Sequence, residues 1–234
     1  MLEQIKKDIK KKANPKQAKI LQRFFKTGKG QYGEGDIFLG LKVPEQREIV
    51  KKYPNLSLPK IQQLLKSKIH EQRLIALLLL VQKYKKSNEE DKARIFNLYL
   101  KNTKYINNWD LVDLSAPNIV GDFLLDKKRK ILYDLAESKS LWEKRISVLA
   151  TFAFIKEREL QDSLRISRIL LKDKHDLIHK AIGWMLREVG KKDLKLLEDF
   201  LKKYYAQLPR TTLRYAIERF EEKKRLKFLK GEFK

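Results

Sequence analysis

Apolar residues recur along this chain at intervals of three and four and almost nowhere in strict alternation. That pattern predicts a succession of amphipathic helices without strands. Residues 2–13 make a basic amphipathic helix. Asn14-Pro15 reads as an N-cap with proline at the first helical position, opening a helix to about Phe25. After a loop from Gly28 to Gly40, Pro44 opens a helix to about Lys52, and Ser57-Leu58-Pro59 opens another to Lys66. Ile69 to Lys85 predicts a strongly apolar helix, and Asn88-Glu89-Glu90 starts the next, which runs to about Leu100. A helix begins at Trp109 and is bent or ended by Pro117. Further helices are expected at about 127–138, 141–157, 160–172, 176–189, 193–205 and 210–222, with a basic tail over 223–234 that frays.

The chain repeats itself. Glu71-Gln72-Arg73-Leu74, Asn107-Asn108-Trp109-Asp110, Glu143-Lys144-Arg145-Ile146 and His179-Lys180-Ala181-Ile182 follow one another at 36 residues, and Arg214-Tyr215-Ala216-Ile217 follows at 35. Each lies near the start of a predicted helix, with a second helix between successive members. A helix-pair repeat of this length indicates an α-solenoid. The tetratricopeptide pattern of Trp, Leu, Gly and Tyr is missing, so the expected fold is all-α and HEAT-like: antiparallel helix pairs forming one domain over 1–234, with a concave basic cleft.

Charge narrows the partner. Fifty-four Lys and Arg stand against 30 Asp and Glu, a net charge of +24, which favours a polyanion. Nucleic acid is the first choice and an anionic membrane surface the second; the alternative is a lysine-rich, solvated exterior. Cysteine is absent, so disulfides and thiolate metal sites are excluded and a reducing compartment is natural. His175 and His179 stand four apart, a zinc-compatible spacing, but no HExxH surrounds them and no metal or cofactor is expected. The N-terminus lacks the apolar core of a signal peptide, and the longest apolar run, Leu74 to Val81, is too short to span a bilayer. A cytoplasmic, nucleoid-associated monomer is expected. The GxGxxG match Gly28-Lys29-Gly30-Gln31-Tyr32-Gly33 follows a helix where a dinucleotide site needs a strand, so it reads as a loop.

Candidate chemistry centres on Asn107-Asn108-Trp109-Asp110-Leu111-Val112-Asp113. Trp109 and Asp113, four apart, share one helix face. An indole beside a carboxylate suits a planar cation; the alternative is a half-buried Trp near an ordinary helix-start carboxylate. If the repeats align, Arg73, Trp109 and Arg145 fall along one line. Arg73 and Arg145 sit at the edges of apolar stripes, where a charge is either paired inside or aimed into a groove. Lys180, Trp184 and Arg187 run down one helix, and Arg210 and Arg214 add a basic pair. These residues sketch a channel for backbone phosphates. Glu71, Glu143 and Glu188 are the alternative partners of its arginines. Trp142 is assigned to the core, and Asp110 and Asp122 to the surface or helix ends.

Several segments, in order, resemble the AlkD-type DNA alkylation repair glycosylases: FLGLKVPEQR, INNWDLVDLSAPNIVG, LWEKRISVLATFAFI, HKAIGWMLREVG and LPRTTLRYAIERF. The resemblance covers about residues 18–220. It implies a HEAT-like fold and excision of N3- and N7-alkylated purines from double-stranded DNA. A monofunctional glycosylase without metal or lyase activity is expected, since a lyase needs a lysine nucleophile and none sits in the motif. It further implies that Trp109 and Trp184 are the family's cleft tryptophans, Asp113 its essential aspartate, Arg145 its phosphate-contacting arginine and Arg187 another DNA-facing position. The early loop matches only loosely and assigns nothing to Lys29, Tyr32 or Lys42. A non-catalytic protein that binds bent or damaged duplex is the alternative, and a protein-binding scaffold a third.

Overall fold

The computed structural model describes residues 1–232. These are overwhelmingly helical; the only bridge of strand type among them joins Ile37 to Ile69. Phe233 and Lys234, the end of the expected basic tail, lie outside the described residues. The chain gathers into two compact units, Met1–Ser115 and Ala116–Lys234.

The first unit holds α1 (Leu2–Lys11), α2 (Pro15–Phe24), α3 (Val43–Lys52), α4 (Leu58–Leu65), α5 (His70–Tyr84), α6 (Glu89–Lys101) and α7 (Trp109–Asp113). Two of its N-caps are those the sequence marks: Asn14 accepts from the Gln17 N–H and Asn88 from the Asp91 N–H, each satisfying a donor that the first turn leaves open. Helix α5 is the centre of the unit, packed on α3, α4, α6 and α7. Its run Leu74–Leu80 is buried all round, as expected of a helix without a polar face.

The second unit opens on a π-helical turn, Pro117–Gly121, and continues with α8 (Lys130–Ala136), α9 (Leu141–Lys156), α10 (Gln161–Ile169), α11 (Asp176–Lys192), α12 (Leu194–Tyr204), α13 (Arg210–Ala216) and α14 (Glu222–Lys230). Helix α7 has already ended at Asp113, so Pro117 does not end it but starts the wider π-turn. Helix α9 packs on α8, α10, α11 and the π-turn, and α11 on α9, α12 and α13. The repeated segments fall on α5, α7, α9, α11 and α13, alternate helices of the series. The tail departs from expectation. It forms α14, held by buried Phe228 edge-on to Phe220 at 5.3 Å and by an ion pair of Lys224 with Glu198 at 2.7 Å. An apolar anchor every few residues suffices to order a strongly basic segment.

Gly183 explains the close approach of α11 and α13. A Cβ there would lie 2.5 Å from the Tyr215 Cβ and 2.7 Å from the Thr212 carbonyl oxygen. Gly183→Ala is therefore expected to cost about 1–3 kcal/mol in urea unfolding, the range for an overpacked interior. An unchanged midpoint would mean the two helices separate freely.

Candidate functional site

Helix α7 is only five residues long, too short to hold its shape alone. It is pinned at its start. The Asn108 backbone is extended, and the Asn108 Oδ1 accepts from the Trp109 N–H at 2.9 Å. The Asp110 Oδ1 accepts from the Leu111 N–H, also at 2.9 Å. The other ends of these two side chains reach into the interior. Asn108 Nδ2 donates to Asp36 Oδ2 at 3.3 Å, and Asp110 Oδ2 receives His70 Nε2 at 2.8 Å. His70 Nδ1 meets Asp36 Oδ2 at 3.2 Å, and Arg73 closes the set with a 2.7 Å bond from Nη2 to Asp36 Oδ1. Asp36, His70, Arg73, Asn108 and Asp110 are all buried.

Burial favours the neutral imidazole. The charge of Asp110 and the hydrogen bonds to Asp110 and Asp36 outweigh it and push the His70 pKa up to about 9. Burial would likewise raise the Asp36 pKa, but the hydrogen bond from His70 and the Arg73 guanidinium hold its carboxyl below the ordinary range. The site is thus a charged lattice, with a protonated histidine donating from both ring nitrogens.

The wall beside this lattice is aromatic. Trp109 stacks on Phe25 at 5.0 Å and 14°, Phe25 on Phe38 at 5.0 Å, and Phe38 on His70 at 4.4 Å. Phe24 meets the indole edge-on at 5.9 Å and is itself 61% exposed. One face of Trp109 is therefore covered by Phe25. Asp113, half-buried, is the last residue of α7. It belongs to a polar cluster: the buried Tyr99 hydroxyl lies 2.9 Å from Ser115 Oγ, and the Asp113 charge adds to burial in keeping that phenol protonated.

The loop in front is fixed by Glu71. Its fully buried carboxylate accepts from the N–H groups of Leu39, Gly40 and Leu41 at 2.7–3.3 Å. Gly40 has a φ of +94°, and a Cβ there would lie 2.2 Å from the Asn14 carbonyl oxygen, so only glycine fits.

Of the two alternatives the sequence leaves for Arg73, the structure takes the interior one, with Asp36 rather than Glu71 as partner. At 3% exposure Arg73 does not line a groove; its Nη1 donates to the Ser67 carbonyl. Asp110, expected at the surface or a helix end, is in the first turn of α7 but lies in the interior, bonded to His70; Asp122 is exposed. His70 and Asp36 carry no sequence signal of a role, and Asn108 is marked only by its place beside Trp109.

In the second unit Arg145 is 5% exposed, and its Nη1 donates to the Leu177 carbonyl of α11 at 2.6 Å. Trp184 is half-buried on α11, with Phe152 6.1 Å away. Lys180 pairs with Asp176 at 2.7 Å and Arg187 with Glu218 of the next repeat. Arg210 donates to the Leu229 carbonyl at 2.9 Å, and Arg214 is exposed. Lys180, Trp184, Arg187, Arg210 and Arg214 are thus carried by the packed pair α11 and α13. Trp142 is half-buried rather than fully in the core. His175 Nδ1 accepts from the Leu177 N–H, and the His179 ring bonds the Asp173 carbonyl oxygen.

A family model described as DNA alkylation repair enzyme matches residues 5–220. Among solved structures, a protein from Enterococcus faecalis named Predicted DNA alkylation repair enzyme is similar, with 17% sequence identity and a TM-score of 0.69; the match covers 90% of this chain and 97% of that one. At that identity the likeness speaks for the fold alone. No curated protein matches significantly.

Proposed function

Since this chain belongs to the family of DNA alkylation repair enzymes, we propose that it hydrolyses the N-glycosidic bond of cationic N3- and N7-alkylated purines in duplex DNA. The observation that carries this reading is the pairing of half-buried Trp109 and Asp113 at opposite ends of one anchored helical turn. An N3- or N7-alkylated purine already bears positive charge. When its C1′–N bond breaks, the bonding electrons neutralise the base, and the positive charge passes to the sugar as an oxocarbenium-like species. Water then adds at C1′ and loses a proton.

In this mechanism Asp113 faces the developing charge and orients the water. A carboxylate about 4 Å from a unit charge, at an effective dielectric of about 20, contributes roughly 4 kcal/mol, or about a thousandfold in rate. Trp109 adds a cation–π contact of about 0.5–2 kcal/mol, and Phe25 stacked on it keeps the ring from yielding. Trp184 is a second proposed aromatic contact. Lys180, Arg187, Arg210 and Arg214 are the proposed phosphate contacts of the second unit. Arg73 and Arg145, both buried, are assigned as struts behind the binding surface.

The direct test is release of free 3-methyladenine and 7-methylguanine from methylated duplex by the purified protein. Release above the spontaneous rate is expected. Steeply salt-dependent duplex binding without any release would replace this reading with a non-catalytic DNA-binding one.

A further inference from the structure

Arg145 is buried and donates to the Leu177 carbonyl, and around the starts of α9 and α11 the structure holds a set of other cations. An open cleft of about 520 Å³ lies between the segment leading into α9 and the segment leading into α11. Lys139 and Lys144 line one side, Lys172, Lys174 and His175 the other. One of these lysines is neutralised: Lys144 pairs with Asp173 at 2.8 Å. Lys139, Lys172 and Lys174 are exposed, and among the described residues none has an ion-pair partner. Two of the neighbouring acids are engaged elsewhere. Glu143 takes the Ser138 hydroxyl, and Asp176 takes Lys180 and Thr211.

The spacing of the two sides is set from below. The Arg145–Leu177 bond and the Lys144–Asp173 pair both tie the start of α9 to the approach of α11. Three uncompensated cations are thereby held around one opening instead of drifting apart. An open site with charges on two segments suits a polymeric anion that presents several phosphates.

We propose that Lys139, Lys172 and Lys174 form a docking site for the phosphodiester backbone of duplex DNA. The inference rests on the DNA reading above and adds to it residues that sequence reasoning did not single out. The test is affinity for an unmodified duplex as a function of salt. The protein would be compared with Lys139→Ala, Lys172→Ala and Lys174→Ala combined, with the same three changed to Arg, and with a charge-matched control, Lys85→Ala, Lys86→Ala and Lys101→Ala combined. Circular dichroism would confirm that each variant is folded. If the cleft meets phosphates, the alanine triple reduces the steepness of log K against log salt by about 2–3, since each lost contact removes roughly 0.9. The arginine triple keeps the wild-type slope, and the control falls by less than about half as much as the cleft variant. An alanine triple no different from the control overturns the proposal while leaving the DNA reading intact. A wild type without salt-dependent duplex binding overturns the DNA reading itself.

Discussion

Asp113→Asn is expected to lose base release by two to three orders of magnitude, the scale set by a single carboxylate facing a unit charge at about 4 Å. Single-turnover excision of 7-methylguanine at saturating enzyme measures it. Duplex affinity should hold within about threefold, because a carboxylate makes no favourable contact with phosphate. The variant should also stay folded. Asp113 is half-buried at the C-terminal end of α7 and asparagine keeps its size, so the change in stability is expected to stay within about 1 kcal/mol. Lost activity with an unchanged or raised melting temperature would separate chemistry from folding. Full excision by the amide variant would remove Asp113 from the mechanism.

The largest expected effect on stability is at Asp36. Its carboxylate is the shared acceptor of His70, Arg73 and Asn108. Asp36→Ala leaves a guanidinium and an imidazolium in the interior without their common counter-charge, a loss of about 3–5 kcal/mol in urea unfolding. The same lattice gives the protein a pH signature. His70 keeps its proton in the folded protein up to about pH 9, whereas an ordinary histidine releases it near 6.5. The stabilisation from that proton is therefore complete below about pH 6.5 and is lost as the pH rises through 9. The difference corresponds to about 3 kcal/mol. The stability gap between wild type and His70→Gln should narrow by about that amount between about pH 6.5 and pH 9.5. A gap that stayed constant with pH would mean that His70 is neutral in the fold.

Periodicity makes the helices legible because each buries one stripe against its neighbours, and the 36-residue recurrence marks the alternate helices. Asn14 and Asn88 were readable because a cap is a local device, complete within four residues. The Asp36 lattice was not readable. Asp36 sits in a glycine-rich loop, His70 and Arg73 on an apolar helix, Asn108 and Asp110 at another helix start, and no local rule joins them. Arg73 shows the limit: flanking leucines and isoleucines mark it as interior or groove-facing, and only the position of Asp36 decides between the two. The order of α14 was missed for the opposite reason, since its charge hid the anchoring role of Phe228.

The Asp36 lattice also constrains how this chain can diverge. A lone change at Asp36, His70, Arg73 or Asp110 strands a buried charge, so stepwise drift through single substitutions is closed at these places. They are expected to be inherited as a block, kept together or exchanged together for apolar residues. Four positions spread over 75 residues of sequence, from Asp36 to Asp110, thus behave as one heritable character, and the anchoring of Trp109 is inherited with it.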